Sequence, residues 1–242
     1  MTKNLKEWAI SLSGCDGGNP NADIWVCGIE WGGGSMGRYY EKDLPEEISK
    51  GRVELDDNIY RWKDSLTYTY GRNLAKLYMA ITGKKVEQYK DVQNLEGTEI
   101  FKTNLYPIAF DSTNPALWHQ YQLDKITGFE NKRLFNTWCF FNRFPEFRRL
   151  RKEYKPKVII CTGVDYLRDF LMFFASSETL EKIEVGELPI ESKTNSHLRQ
   201  YYTIMIEEST FLVVIPFFSG SYGLNSNNLL QKMGNIIHNY YE

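Results

Sequence analysis

The side chains best suited to chemistry stand just after apolar runs. Residues 23–29 (DIWVCGI) are followed by Glu30, Trp31 and Gly32. A carboxylate at a strand end, facing a cleft, can accept a proton from water or steady a developing cation. The run 99–105 carries Thr103-Asn104. An amide offers both a donor and an acceptor, so Asn104 can pair with the edge of a heterocycle; an Asn capping the loop after a strand is the plainer reading. Tyr68 and Tyr70 stand at the start of a helical pattern, and Tyr39 and Tyr40 lie nearer Glu30. Any of these rings could stack on a planar ligand or pack in the core. Ser219-Gly220 and the run Gly32-Gly33-Gly34 offer backbone N–H groups of the kind that hold anions.

These groups need elements to position them. Residues 2–12 carry apolar side chains at helical spacing, as do 70–82, with Gly83 as a stop. Residues 131–154 read as a helix in two pieces, broken at Pro145, and 225–240 as a closing helix. The spacing predicts strands near 23–29, 98–105, 157–162 and 210–216, with 201–207 pairing with the last as a hairpin. Three of the runs are apolar on both faces, which predicts parallel strands buried between helix layers, with ligands at their carboxyl ends. Residues 35–67 are polar and irregular and read as an insertion or lid.

The chain has 242 residues, 42% hydrophobic and 25% charged, consistent with one domain spanning 1–242. A net charge of −2 excludes a surface that is basic all over, so a nucleic-acid contact would have to be local. Nine basic residues between 132 and 157 face only Glu146 and Glu153. Because this segment precedes a strand, it reads as a solvated helix face away from the ligand end. Cys27 and Cys161 lie in apolar runs and read as buried thiols; neither Cys15, Cys139 nor the three histidines form a metal motif. The N-terminus is too polar for a signal peptide, and no run approaches a membrane span. A cytoplasmic protein is expected.

In their order, these segments resemble the uracil-DNA glycosylase superfamily. Gly28-Ile29-Glu30-Trp31-Gly32 is similar to its first motif, Gly-Ile-Asn-Pro-Gly in the mismatch-specific members. Glu30 falls where that motif orients or activates the attacking water, and Trp31 replaces proline. Thr103-Asn104 is similar to the second motif, whose Asn reads the flipped base. Lys155-Pro156, the apolar run and Gly163 match a recurrent architecture. Laying Phe218-Ser219-Gly220 on the family's Pro-Ser-Gly puts Phe217 where a His or Asn would stabilise the departing base. Tyr68 to Arg72 resembles a Phe-x-Gly segment, one residue out of register.

The resemblance implies a three-layer α/β/α domain with a central four-stranded parallel sheet and an insertion near 35–67. It implies a hydrolase that cleaves the N-glycosidic bond of a base flipped from DNA, acting as a monomer. Glu30 would be catalytic. Asn104, Tyr68, Tyr70 and Trp31 would hold the base; Gly32, Ser219 and Gly220 would meet a phosphate or the leaving group. The altered motifs point away from plain uracil and toward a modified base, as in phage DNA. No metal or cofactor is implied, since the four cysteines do not fit the iron–sulfur branches. The rival readings are a non-catalytic nucleotide- or nucleic-acid-binding module on the same fold, favoured by Phe217, and a hydrolase of free nucleosides.

Overall fold

The computed structural model describes residues 2–32, 36–55, 58–110, 116–175, 177–189, 197–207 and 209–242. Its centre is one mixed sheet of seven strands: β1 (Gly17–Gly18), β2 (Ile24–Gly28), β3 (Ile100–Asn104), β4 (Val158–Thr162), β5 (Glu184–Leu188), β6 (Arg199–Ile206) and β7 (Thr210–Ile215), in the order β1-β3-β2-β4-β7-β6-β5. Within it β2 runs parallel to β3 and β4, and β4 parallel to β7. β1, β5 and β6 run antiparallel to their neighbours. The expected sheet of four strands is thus too small. Antiparallel strands widen it at both edges: β6 forms the expected hairpin with β7, while β1 and β5 lack a continuous apolar run to detect.

The sheet is covered on both faces, and strand alternation divides its side chains between two cores. Trp25, Cys27, Phe101, Ile159, Cys161, Leu212 and Val214 join one core, under the helices Lys3–Ala9, Lys132–Tyr154 and Leu167–Phe174. Ile24, Val26, Ile100, Val158, Ile160, Val213 and Ile215 join the other, under Thr69–Ile81 and Asn227–Tyr241. The helices start where the chain supplies caps. Thr2, Asn131 and Ser226 each accept a backbone N–H from the first turn that follows.

Three expectations are corrected. Helix Lys132–Tyr154 is continuous through Pro145. Pro145 is itself exposed, and buried Phe144 and Phe147 pack the helix on either side of it, so tertiary contact outweighs one lost hydrogen bond. The segment near 35–67 is more than a polar lid. Tyr39, Tyr40, Leu44 and Ile48 enter the first core, while Tyr60 and Trp62 enter the second. The basic run is not one solvated face either, because Arg143 and Arg151 are buried. Arg151 pairs with Glu207 at 2.9 Å, and Arg149 lies between Glu146 and Glu153 on the surface. Among the described residues no helix is long and apolar enough to cross a membrane.

Candidate functional site

The loops after β2 and β4 part in opposite directions. The chain leaves β2 for β3 on one side, whereas β4 leads on toward β7 on the other. In sheets of this kind ligands bind at such a switch point, beyond the carboxyl ends of the strands. Cys27 pairs with Cys161, so Gly28 and Gly163 end their strands on the same side of the sheet. At Gly163 (φ +122°) a Cβ would approach Ile29 Cδ1 to 3.2 Å, so a side chain would crowd the two loops at this point. The β2 loop is bound to the β3 loop beside it: Leu105, Tyr106 and Phe110 donate N–H groups to the carbonyls of Gly28, Ile29 and Trp31.

Glu30 stands at this switch point, its side chain 14% exposed, and accepts a 2.7 Å hydrogen bond from Lys132 Nζ. Lys132 is 18% exposed and lies 3.8 Å over the Phe110 ring. Burial pushes the Glu30 carboxyl above the ordinary range; the charge and hydrogen bond of Lys132 pull it partly back. Tyr106 and Tyr166 both feel the charges of Glu30 and Asp169, and burial is the first cause that raises their phenols. Tyr106 Oη points to Asp169 Oδ2 at 3.5 Å. Residues from three strand ends therefore gather here: Glu30 after β2, Tyr106 and Phe110 after β3, Tyr166 and Asp169 after β4. Lys132 joins them because its helix runs back along the sheet, so that its first residue lies at the carboxyl ends of the strands. Lys132 thus lies at the ligand end, not on the solvated face expected of the whole basic segment.

Asn104 lies on the other face of β3, the face it shares with Lys102. It is 1% exposed. Its Nδ2 donates to the Gly14 carbonyl at 2.8 Å, and its Oδ1 occupies the place where a Cβ on Gly28 would come within 2.4 Å. Behind it Arg143, wholly buried, donates to the carbonyls of Ala9, Ser11, Ser13, Asn104 and Leu105, fixing the N-terminal segment against the end of β3. Tyr70 sits on the Asn104 face as well. Its hydroxyl meets Thr162 Oγ1 at 3.0 Å, its ring contacts Phe217 and Phe218, and the Lys102 ammonium lies 5.0 Å above it. Burial lowers Lys102 to about 8, and Asp16 is its ion-pair partner.

Tyr68 is 65% exposed beside that helix start, and Phe217 is 41% exposed. Ser219 and Gly220 are exposed in a tight turn: Gly220 has φ +80°, and its carbonyl accepts from Gly223 N–H and Asn225 Nδ2. Trp31 packs edge-on against Tyr39 at 4.9 Å. Gly32 is exposed, and Gly33 and Gly34 fall outside the described residues. The sequence-nominated residues thus form two groups, Glu30 with Trp31 and Asn104 with Tyr70, on adjoining strand ends.

The residues that sequence reasoning missed are Lys132, Tyr106, Tyr166 and Asp169. Only Tyr106 had a local cue, its place two residues after Asn104. A separate cavity of about 150 Å³ lies toward the strand starts, floored by Trp25, Phe101 and Tyr154, and does not touch Glu30. Its rim charges pair with one another: Arg52 with Glu54, and Arg149 with Glu146 and Glu153. Among the described residues no three His, Cys, Asp or Glu side chains gather to hold a metal, and all four cysteines are free thiols. No family model matches the chain, and no curated protein matches it significantly.

Proposed function

We propose that the protein is a DNA glycosylase-type hydrolase that releases a base by attack of water at the anomeric carbon, with Glu30 as the group that receives the proton. The observation that carries this reading is a withdrawn carboxylate at the switch point of the sheet, held by a single lysine and flanked by tyrosines. As the N-glycosidic bond lengthens, the sugar gains positive charge. A carboxylate in a poorly hydrated site stabilises that charge and takes the proton of the incoming water. Tyr106 and Tyr166 offer phenol O–H groups to the departing base, a role that Phe217 cannot fill.

On this reading Tyr70, Phe217 and the exposed Tyr68 form an aromatic rim beside the strand ends on which an unstacked base can lie. Asn104 is buried, with its amide N–H on Gly14 and its Oδ1 against Gly28, so its contact with a base would require the Gly14 segment to move. A uracil-DNA glycosylase-like ancestry, a modified base as substrate and a monomeric state belong to the same proposal.

A binding module on this fold is the second reading. It is favoured by the Glu30–Lys132 pair, since the lysine already occupies the Glu30 Oε1 that a reacting water would need. Incubation with single- and double-stranded oligonucleotides carrying uracil or modified bases, and with free nucleosides, tests the proposal. Base release from DNA supports it, release from nucleosides alone replaces DNA as the substrate, and salt-dependent DNA binding without release supports the binding module.

A further inference from the structure

The Glu30–Lys132 pair is more than a way to hold a carboxylate. We propose that the Lys132 amine condenses with an aldehyde sugar, the ring-opened deoxyribose of an abasic nucleotide, to form an iminium, with Glu30 shuttling the proton. The substrate class rests on the nucleic-acid reading above; the chemistry rests on the pair itself.

Four observations converge on Lys132. Its Nζ has one hydrogen-bond partner among the described residues, Glu30 Oε1 at 2.7 Å, and otherwise faces the Phe110 ring. The two side chains are withdrawn but reachable, at 18% and 14% exposed. Lys132 is the first residue of its helix, so its side chain projects at the carboxyl ends of the strands beside Glu30. The pair also lies at the switch point of the sheet, the place where ligands meet sheets of this kind. A lysine with reduced hydration and a proton acceptor in contact has what an amine nucleophile needs.

The step balances. The Lys132 ammonium gives a proton to Glu30, and the amine adds to the aldehyde carbon as the carbonyl π pair moves to oxygen. A second nitrogen proton moves to that oxygen and gives the carbinolamine. Glu30 then returns its proton, water leaves, and the iminium remains. One ammonium and one aldehyde yield one iminium and one water, with no oxidant or reductant.

The test uses the full chain and an oligonucleotide bearing one abasic site, with sodium borohydride to reduce any iminium to a stable secondary amine. A covalent protein–DNA adduct is expected on a denaturing gel, mapped to Lys132 by mass spectrometry of the digested adduct. Lys132→Arg keeps the cation and its partner but cannot form an iminium, and its adduct should fall at least about tenfold. Glu30→Gln should slow adduct formation. Absence of an adduct with the parent, an undiminished adduct in Lys132→Arg, or mapping to another lysine overturns the inference. Base release measured on the same preparations separates the two claims. Release without an adduct at Lys132 leaves the hydrolase reading standing, whereas the adduct without release leaves only the lysine chemistry.

Discussion

At the scale of single residues, Glu30 has the clearest consequences. Burial raises its carboxyl above the ordinary range and Lys132 lowers it. In the proposed mechanism the ionised form is the base, so base release should fall on the acid side at a pH above that of a solvated carboxyl. Lys132→Met removes the lowering influence, so the acid limb should move to still higher pH in a pH–rate profile. A limb that stays in place would separate Lys132 from the reaction. Arg143 carries a structural consequence. Removing it leaves five buried carbonyls without their donor. Arg143→Met should destabilise the fold by about 3–5 kcal/mol, lowering the melting temperature by about 10 °C for a chain of this length. Arg143→Lys should recover little, because an ammonium cannot span both the N-terminal segment and the end of β3. At Gly28 an added methyl would displace the Asn104 amide. Gly28→Ala should cost about 1–3 kcal/mol in denaturant unfolding and change which base is accepted.

At the scale of elements, a close helix contact makes a prediction in which two effects oppose. Gly234, in helix Asn227–Tyr241, faces Ala80, in helix Thr69–Ile81, so closely that an added Cβ would come within 2.2 Å of Ala80 Cβ. Alanine gains about 1 kcal/mol in helix propensity, but overlap in a packed interface costs about 1–3 kcal/mol. Gly234→Ala should therefore lower the melting temperature, and a rise would show that the two helices separate easily. The same packing explains what the sequence made legible. β2, β4 and β7 are buried on both faces and apolar, so they stand out as runs, whereas β3, equally buried, has only Ile100-Phe101 before Lys102-Thr103-Asn104. β5, Glu-Val-Gly-Glu-Leu at an edge, has no such run, and β1 is two glycines whose only signal is backbone pairing. Pro145 misled because its cost is local while the support from Phe144 and Phe147 is tertiary. Glu30 and Tyr70 could be found from motif order. Lys132 and Asp169 could not, since only the chain's return along the sheet brings them to the strand ends.

At the scale of the whole molecule, a net charge of −2 leaves no general attraction for a polyanion. On the proposed function, DNA would be held at the strand ends and the aromatic rim beside them, with a modest salt dependence and a large contribution from base stacking. The sheet supports that arrangement. Its parallel centre directs four strand ends the same way, and the parting of the chain between β2 and β4 leaves Glu30 at the switch point. The most direct measurement is base release by the parent protein and by Glu30→Gln across a panel of uracil-containing and modified oligonucleotides. Glu30→Gln keeps the shape of the side chain and removes its charge. The parent should release a base from at least one substrate, and the variant should do so about 10²–10⁴ times more slowly while binding the same DNA. Equal release by both proteins would contradict the role of Glu30, and no release by the parent from any DNA that it binds would contradict the hydrolase reading itself.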